Sequence, residues 1–197
     1  MYSSRPNLTL GFHGSDDTIA EKVLQGKFDL KNSENAYDWL GPGIYFWENS
    51  PERALKWAKE NARRGGVKPA VIGAVIDLGF CLDLLDDDSI TTVRAAYEGY
   101  RETCDKAGLP LPQNREKDGH LLYRPLDCAV IKFLHSINED RGNRPFDSVR
   151  GVFTEGDPVY EGSGFLNKSH IQICIRNPNC VKGYFRVRHR VQNYALP

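Results

Sequence analysis

The sequence predicts an α+β fold, in which mainly antiparallel strands at both ends of the chain enclose a helical insert over about 86–147. Three observations predict it. The alternating, β-rich "NLTLGFHGS" opens the chain, and the β-branched run "PAVIGAVIDLGFCLDLL" crosses its middle. After a long helical stretch, three strand-like runs close it. With 197 residues, 40% of them apolar and 26% charged, one well-filled core is expected, hence a single domain over 1–197.

Each element has a local reason. The first strand should end at His13–Gly14. "SDDTIAEKVLQGKF" then carries aspartates at a helix cap, places Ile19, Val23 and Leu24 at helical spacing, and stops at Gly26. Residues 29–42 are polar and loop-like. "GIYFW" predicts a short strand. "NSPERALKWAKENARRGG" predicts a helix capped by Asn49 or Ser50, with Pro51 in its first turn and a double-glycine stop. The β-branched run is a central strand or a strand pair. The insert holds two helices, "SITTVRAAYEGYRETCDKAG" and "PLDCAVIKFLHSINED", joined by "LPLPQNREKDGHLLYR". "SVRGVFTEG", "SHIQICIRN" and "KGYFRVRHRV" are the closing strands, separated by glycine-rich or Asn-Pro turns.

Composition narrows the function classes. Lys plus Arg and Asp plus Glu both number 26, a formal net charge of +0, which argues against a bulk electrostatic grip on nucleic acid or membrane. "MYSSRPNLTL" lacks the basic-then-apolar layout of a signal peptide, and no run is long enough to span a bilayer, so a cytoplasmic protein is expected. The five cysteines are odd in number and never spaced as CxxC, which favours reduced thiols over disulfides or zinc knuckles. The acidic run Asp83–Asp88 lies at a strand-to-helix junction, where acids cap a helix, and no metal is expected there.

Two stretches carry candidate chemistry. In "FHGS", His13 leaves a strand beside Gly14, so an imidazole stands next to a backbone that a ligand can approach closely. In "WLGPGIYFWENSPERALKWAKE", Gly41 and Gly43 give backbone room, Tyr45 sits mid-strand, and Trp57 follows on the helix. Two aromatic planes from adjacent elements clamp a flat ring, each stack contributing on the order of 1 kcal/mol beyond burial. Phe46 belongs more readily to the core.

These strings together resemble the ADP-ribosyltransferases of the diphtheria-toxin and poly(ADP-ribose) polymerase type, which carry a His-Tyr-Glu trio. The resemblance is close over the N-terminal third and looser over the late strands. It implies two packed, mainly antiparallel sheets flanking an NAD cleft, with NAD as co-substrate and no metal. It also implies that His13 binds the adenosine ribose, that Gly14 holds the nicotinamide carboxamide through its backbone, and that Tyr45 stacks on the ring. Ser15 and Gly43 join the NAD-binding set. The second stacking aromatic falls at Lys56 by strict count, and Trp57 takes that role with a shift of one residue.

The sequence departs from the family at the third member of the trio. Alignment of "HIQICIRNPNCV" puts Gln172 where the catalytic glutamate is expected, with His170 on the same strand face. Cleavage of a nicotinamide–ribose bond leaves positive charge on the sugar, which a carboxylate stabilises. Either Gln172 itself serves, accepting a hydrogen bond from a ribose hydroxyl in a weaker enzyme, or a loop carboxylate substitutes, Glu161 first and Glu155 second, with His170 deprotonating the acceptor.

The acceptor is expected to be RNA or DNA, with protein as the alternative. "NARRGGVK" is basic, Arg186, Arg188 and Arg190 share one face of the last strand, and Tyr160 and Phe165 lie in the loop before the catalytic strand. By analogy of size and family, the chain looks like the toxin of a bacterial toxin–antitoxin or anti-phage system. An antitoxin protein would then dock on "CAVIKFLHSI". An NAD glycohydrolase and an inactive NAD- or ADP-ribose-binding module are the rival readings. His120, His135 and His189 are expected on surfaces or helix faces.

Overall fold

The structure, a computed structural model, describes residues 8–117 and 119–188, and of residues 63–65 and 117 the backbone alone. β1 (Leu8–Asp16) runs directly into α1 (Asp17–Leu24), because the Asp16 side chain accepts the Ile19 amide at 2.8 Å and so caps the helix. Gly26, with φ +66°, ends that segment. β2 (Ile44–Glu48) leads into α2 (Pro51–Gly65), which starts at Pro51 after Ser50 without a side-chain cap bond. β3 (Pro69–Asp77) and β4 (Cys81–Asp83) are the strand pair of the β-branched run.

The insert follows. α3 (Asp87–Ala107) is capped by Asp86, which accepts the Ser89 amide, so the acidic run does cap a helix. The short hairpin β5 (Arg115–Lys117) and β6 (His120–Tyr123) separates α3 from α4 (Pro125–Asp140). β7 (Ser148–Phe153), β8 (His170–Ile175), a single tight helical turn at Pro178–Cys180, and β9 (Val181–Arg186) close the described chain.

The fold is α+β, but the strands form one seven-stranded mixed sheet, β4-β7-β8-β2-β1-β3-β9, rather than two packed sheets. Only β4–β7 is parallel. The hairpin β5–β6 is a separate ribbon. The sheet has a weak seam. The β1–β3 ladder extends from Leu8↔Asp77 to Asp16↔Pro69, whereas β1 meets β2 only at Gly11↔Glu48 and Phe12↔Trp47. Beyond Phe12 the two strands diverge, and the edge of His13–Asp16 that faces β2 has no ladder partner.

Strand alternation sorts the core into faces. On one face Ile44, Phe46, Ile72, Ala74, Ile76, Ile173 and Ile175 pack with Ala20 and Val23 of α1. Phe46, Ile72, Ile76 and Ile173 are fully enclosed, each contributing roughly 1.5–3 kcal/mol of burial. On the other face Leu40, Leu82, Val149 and Cys174 pack with Ala96 of α3 and with Val130, Ile131 and Leu134 of α4. Phe12, Trp47 and Ala54 form a smaller cluster with α2. The apolar side of "CAVIKFLHSI" is thus consumed inside the molecule, which removes it as a docking surface for a partner. His135 is likewise not on a surface: it is 5% exposed, and neither ring nitrogen has a hydrogen-bond partner among the described residues. His189 and Arg190 lie outside the described residues, as do the side chains of Arg63 and Arg64.

Candidate functional site

The register at the seam decides what His13 and Tyr45 do. Because Phe12 pairs with Trp47, strand parity puts His13 on the α1 face, where its ring meets Phe46 edge-on at 5.9 Å. The Tyr45 side chain points to the opposite face, among the residues packed by the insert. The two side chains therefore do not line a common groove, contrary to the arrangement the resemblance implies. Their link is through the backbone: His13 Nδ1–H donates to the Tyr45 carbonyl at 2.8 Å, bridging the seam where the ladder has stopped. A carbonyl only accepts, so Nδ1 carries the proton and Nε2 keeps its lone pair. Burial lowers the His13 pKa, which keeps the ring neutral.

Tyr45 is an internal brace. Its hydroxyl donates to the Gly41 carbonyl at 2.8 Å and accepts the Leu40 amide at 3.1 Å. Burial, the first cause, raises its pKa far above the usual phenol value. Gly41 needs its φ of +82° for that turn, and a Cβ there would stand 2.8 Å from Ile131. A Cβ on Gly43 would meet the Ile175 carbonyl and the Cys174 thiol. One on Gly14 would strike the Ala54 carbonyl of α2 and come within 3.1 Å of the Trp57 ring. The three glycines admit neighbouring segments of this chain. Tyr45→Phe is accordingly expected to lower stability by about 1–3 kcal/mol, the cost of leaving two backbone groups short of a partner. Melting curves test it, and a variant as stable as the parent contradicts the brace.

The side chains that do converge lie on the insert-and-α2 face, around a recess of about 210 Å³. Its walls come from Trp47, Trp57, Phe153 and Leu122, and its polar groups from Arg53, Glu60, Glu155, Lys168, His170 and Gln172. Of the expected site residues, Trp57, His170 and Gln172 are here. Gln172 is placed by pairing with Trp47 on one side and Gly151 on the other. Glu155 is here too, ion-paired to Arg53, whereas Glu161 is exposed in the loop beyond. Placement at the recess therefore favours Glu155 over Glu161. The bridge Pro158↔Leu166 explains this by pinching residues 159–165 into a tip, with Glu155 left at its base. Ser15, one residue past Gly14, is half-buried on the α1 face, outside the recess.

The hydrogen-bond pattern of the recess can be assigned atom by atom. The indole Nε1–H of Trp39 donates to Gln172 Oε1 at 2.7 Å. An indole only donates, so the amide oxygen must face Trp39 and the amide NH₂ is the group left for a ligand. His170 Nδ1–H donates to the Lys168 carbonyl at 2.7 Å, which leaves Nε2 as an acceptor. Desolvation, then the charge of Arg53, pushes the His170 pKa down to about 4, so the ring is neutral near pH 7. His170 Nε2, Trp47 Nε1–H and Arg53 Nε–H are all buried without partners among the described residues. Unpaired buried polar atoms cost on the order of 1–3 kcal/mol each, and three of them lie around this one recess.

Sequence reasoning missed Arg53, Trp39, Trp47 and Arg124. Arg53, Trp57 and Glu60 recur at helical spacing, so one face of α2 was readable as a unit. Trp39 and Arg124 gave no such signal. Gly151 admits the Trp39 ring, and Arg124 stacks between Trp39 and Phe153 at 4.8 and 4.6 Å, contacts that only the folded topology creates.

No family of known proteins matches the chain, and no solved structure matches it. An uncharacterized protein of the archaeon Methanocaldococcus jannaschii, MJ0359, is 26% identical over 190 residues, covering 87% of this chain and 83% of the archaeal one.

Proposed function

We propose that the protein is an NAD-dependent ADP-ribosyltransferase whose reaction takes place in the Trp47–Trp57 recess. The observation that carries this is the convergence of two indole walls with a neutral acceptor (His170), an amide donor (Gln172) and a carboxylate (Glu155). The resemblance of "FHGS" and "GPGIYFW" to the family suggests the reaction class, although His13 and Tyr45 do not line the recess. At about 210 Å³ the recess suits one flat ring and its adjoining sugar, and is smaller than the 300 Å³ or more typical of pockets that enclose a whole ligand.

NAD supplies the ADP-ribosyl group, and nicotinamide leaves. Trp57, the more exposed of two indoles that already touch at 5.6 Å, would stack on the ring, and Trp47 Nε1–H and Arg53 Nε–H would donate to carboxamide or ribose oxygens. The Gln172 NH₂ would donate to a ribose oxygen, in place of the hydrogen bond that a family glutamate would accept. As the sugar carbon loses its bond to nitrogen, Glu155 supplies the negative charge that offsets the developing positive charge. The acceptor then bonds to that carbon, and its proton passes to His170 Nε2.

Incubation with NAD labelled in its adenosine half and total cell lysate, followed by nuclease or protease, tests transfer and its acceptor. Label that nuclease removes is the expected result, and free ADP-ribose alone would make the protein a glycohydrolase. One observation favours a second reading, an NAD-binding module without turnover: Trp39 occupies the Gln172 oxygen. Gln172→Glu separates the two, because Trp39 would still bond one carboxylate oxygen and leave the other facing the recess. Nicotinamide release equal to the parent, or up to about tenfold faster, is expected. A folded Gln172→Glu protein with no release would overturn the assignment.

A further inference from the structure

From the hairpin β5–β6 a row of aromatic rings and guanidinium groups runs toward the recess, and the mechanism uses none of its outer members, Tyr37, Tyr123, Arg115 and Arg124. Tyr37 and Tyr123 are 47% and 41% exposed, and their rings lie 5.3 Å apart at 36°. Arg115 stands 5.7 Å over the Tyr123 ring. The next residue along, Arg124, is clamped between Trp39 and Phe153. Phe153 stacks on His170 at 5.5 Å, and His170 neighbours Trp47 at 6.0 Å inside the recess. Lys168 adds a positive charge on the recess wall. The contacts from Arg124 to Trp47 are continuous, Tyr123 joins them as the residue before Arg124, and the outer two tyrosines are half-exposed.

We propose that this row is a binding track for single-stranded nucleic acid, which it delivers to the recess. Half-exposed tyrosines with an adjacent guanidinium match the flat face and the phosphate of an unpaired nucleotide, and every base has such a face. A duplex hides those faces, so it is not the partner. The chain carries no net charge to pull phosphate from a distance, and Arg124 is already held between two rings, so stacking is expected to carry most of the affinity. The track's role as the acceptor path rests on the transferase reading, but its binding does not.

Fluorescence anisotropy with a labelled, unstructured RNA or DNA oligonucleotide tests it, against a duplex of the same sequence. The single strand should bind at least about tenfold more tightly than the duplex, and Tyr123→Ala should weaken it by about tenfold, the effect of losing one stacking platform. Arg115→Ala should weaken it less, and should flatten the dependence of affinity on salt. Melting curves establish that each variant is folded, and Tyr37→Ala repeats the stacking test from the other ring. Failure of both RNA and DNA single strands to bind, equal binding of the duplex, or unchanged binding by the folded tyrosine variants would each overturn the track. Capture of a peptide in place of the oligonucleotide would do the same. Nicotinamide release from NAD, measured on the same preparations, keeps the two proposals separate. Release without oligonucleotide binding overturns the track alone, whereas binding without release sustains it and overturns the transferase.

Discussion

Replacing Glu155 by glutamine should slow nicotinamide release by about a hundredfold, the order seen when one preorganised electrostatic group is removed from a transition state. Glu155 is the only loop carboxylate that the described residues bring to the recess, and Arg53 holds it there. Glutamine keeps the length and an oxygen for Arg53, so the change removes charge more than shape. Arg53 is then left without its counter-ion in a half-buried setting, and some loss of stability accompanies the change. Initial rates normalised to folded protein separate the two effects. The variant should lose rate with little change in KM, because developing charge is felt in the transition state and not on binding. Glu161→Gln, at the exposed tip, should leave the rate within a factor of about two of the parent, as surface changes generally do. If Glu155→Gln turns over normally while Glu161→Gln does not, the carboxylate has been assigned to the wrong residue.

The second large effect concerns acid stability. His135 is buried on α4 with both ring nitrogens unpartnered among the described residues, its ring against Phe146 at 6.2 Å. Desolvation and then the charge of Arg176 lower its pKa from the usual 6.5 to about 3. The sign follows from which state takes up the proton. Below pH 6.5 the unfolded chain binds it readily and the native protein does not. Stability is therefore full above pH 6.5, is lost as pH falls from 6.5 toward 3, and levels off below that. The loss is about 3–5 kcal/mol for His135 by linkage alone. His170, lowered to about 4, adds to the same window. His135→Leu replaces a ring with no hydrogen bond by an apolar side chain of similar size. The variant should match or exceed the parent at pH 7, and its denaturation midpoint should fall much less between pH 6.5 and 4. Parallel pH profiles for parent and variant would show that His135 is not protonated on unfolding.

Much of the fold was legible because its punctuation is local. Asp16 and Asp86 cap helices with their own side chains, Pro51 opens α2, and Gly26 and Gly108 close helical segments with positive φ. Alternation along "HIQICI" put His170 and Gln172 on one face, and both line the recess. His13 and Tyr45 were misjoined for a physical reason. Each is placed by its own strand, but which face each shows depends on the β1–β2 register, and Phe12↔Trp47 fixes that register across 35 residues of chain. Glu155 and Glu161 differ only in how the loop folds between them, which composition does not encode. The burial of His135 was available in principle: Cys128, Ile131 and His135 recur at spacings of three and four, the signature of a buried helix stripe. Trp39 and Arg124 come together across 85 residues through topology, and no local pattern announces that.

The most direct test of the central claim is nicotinamide release from NAD by the purified protein, followed by chromatography with and without single-stranded RNA or DNA. The account predicts release that increases when the oligonucleotide is added and that Trp57→Ala strongly reduces. No release under either condition, or release that a folded Trp57→Ala protein retains in full, would contradict it.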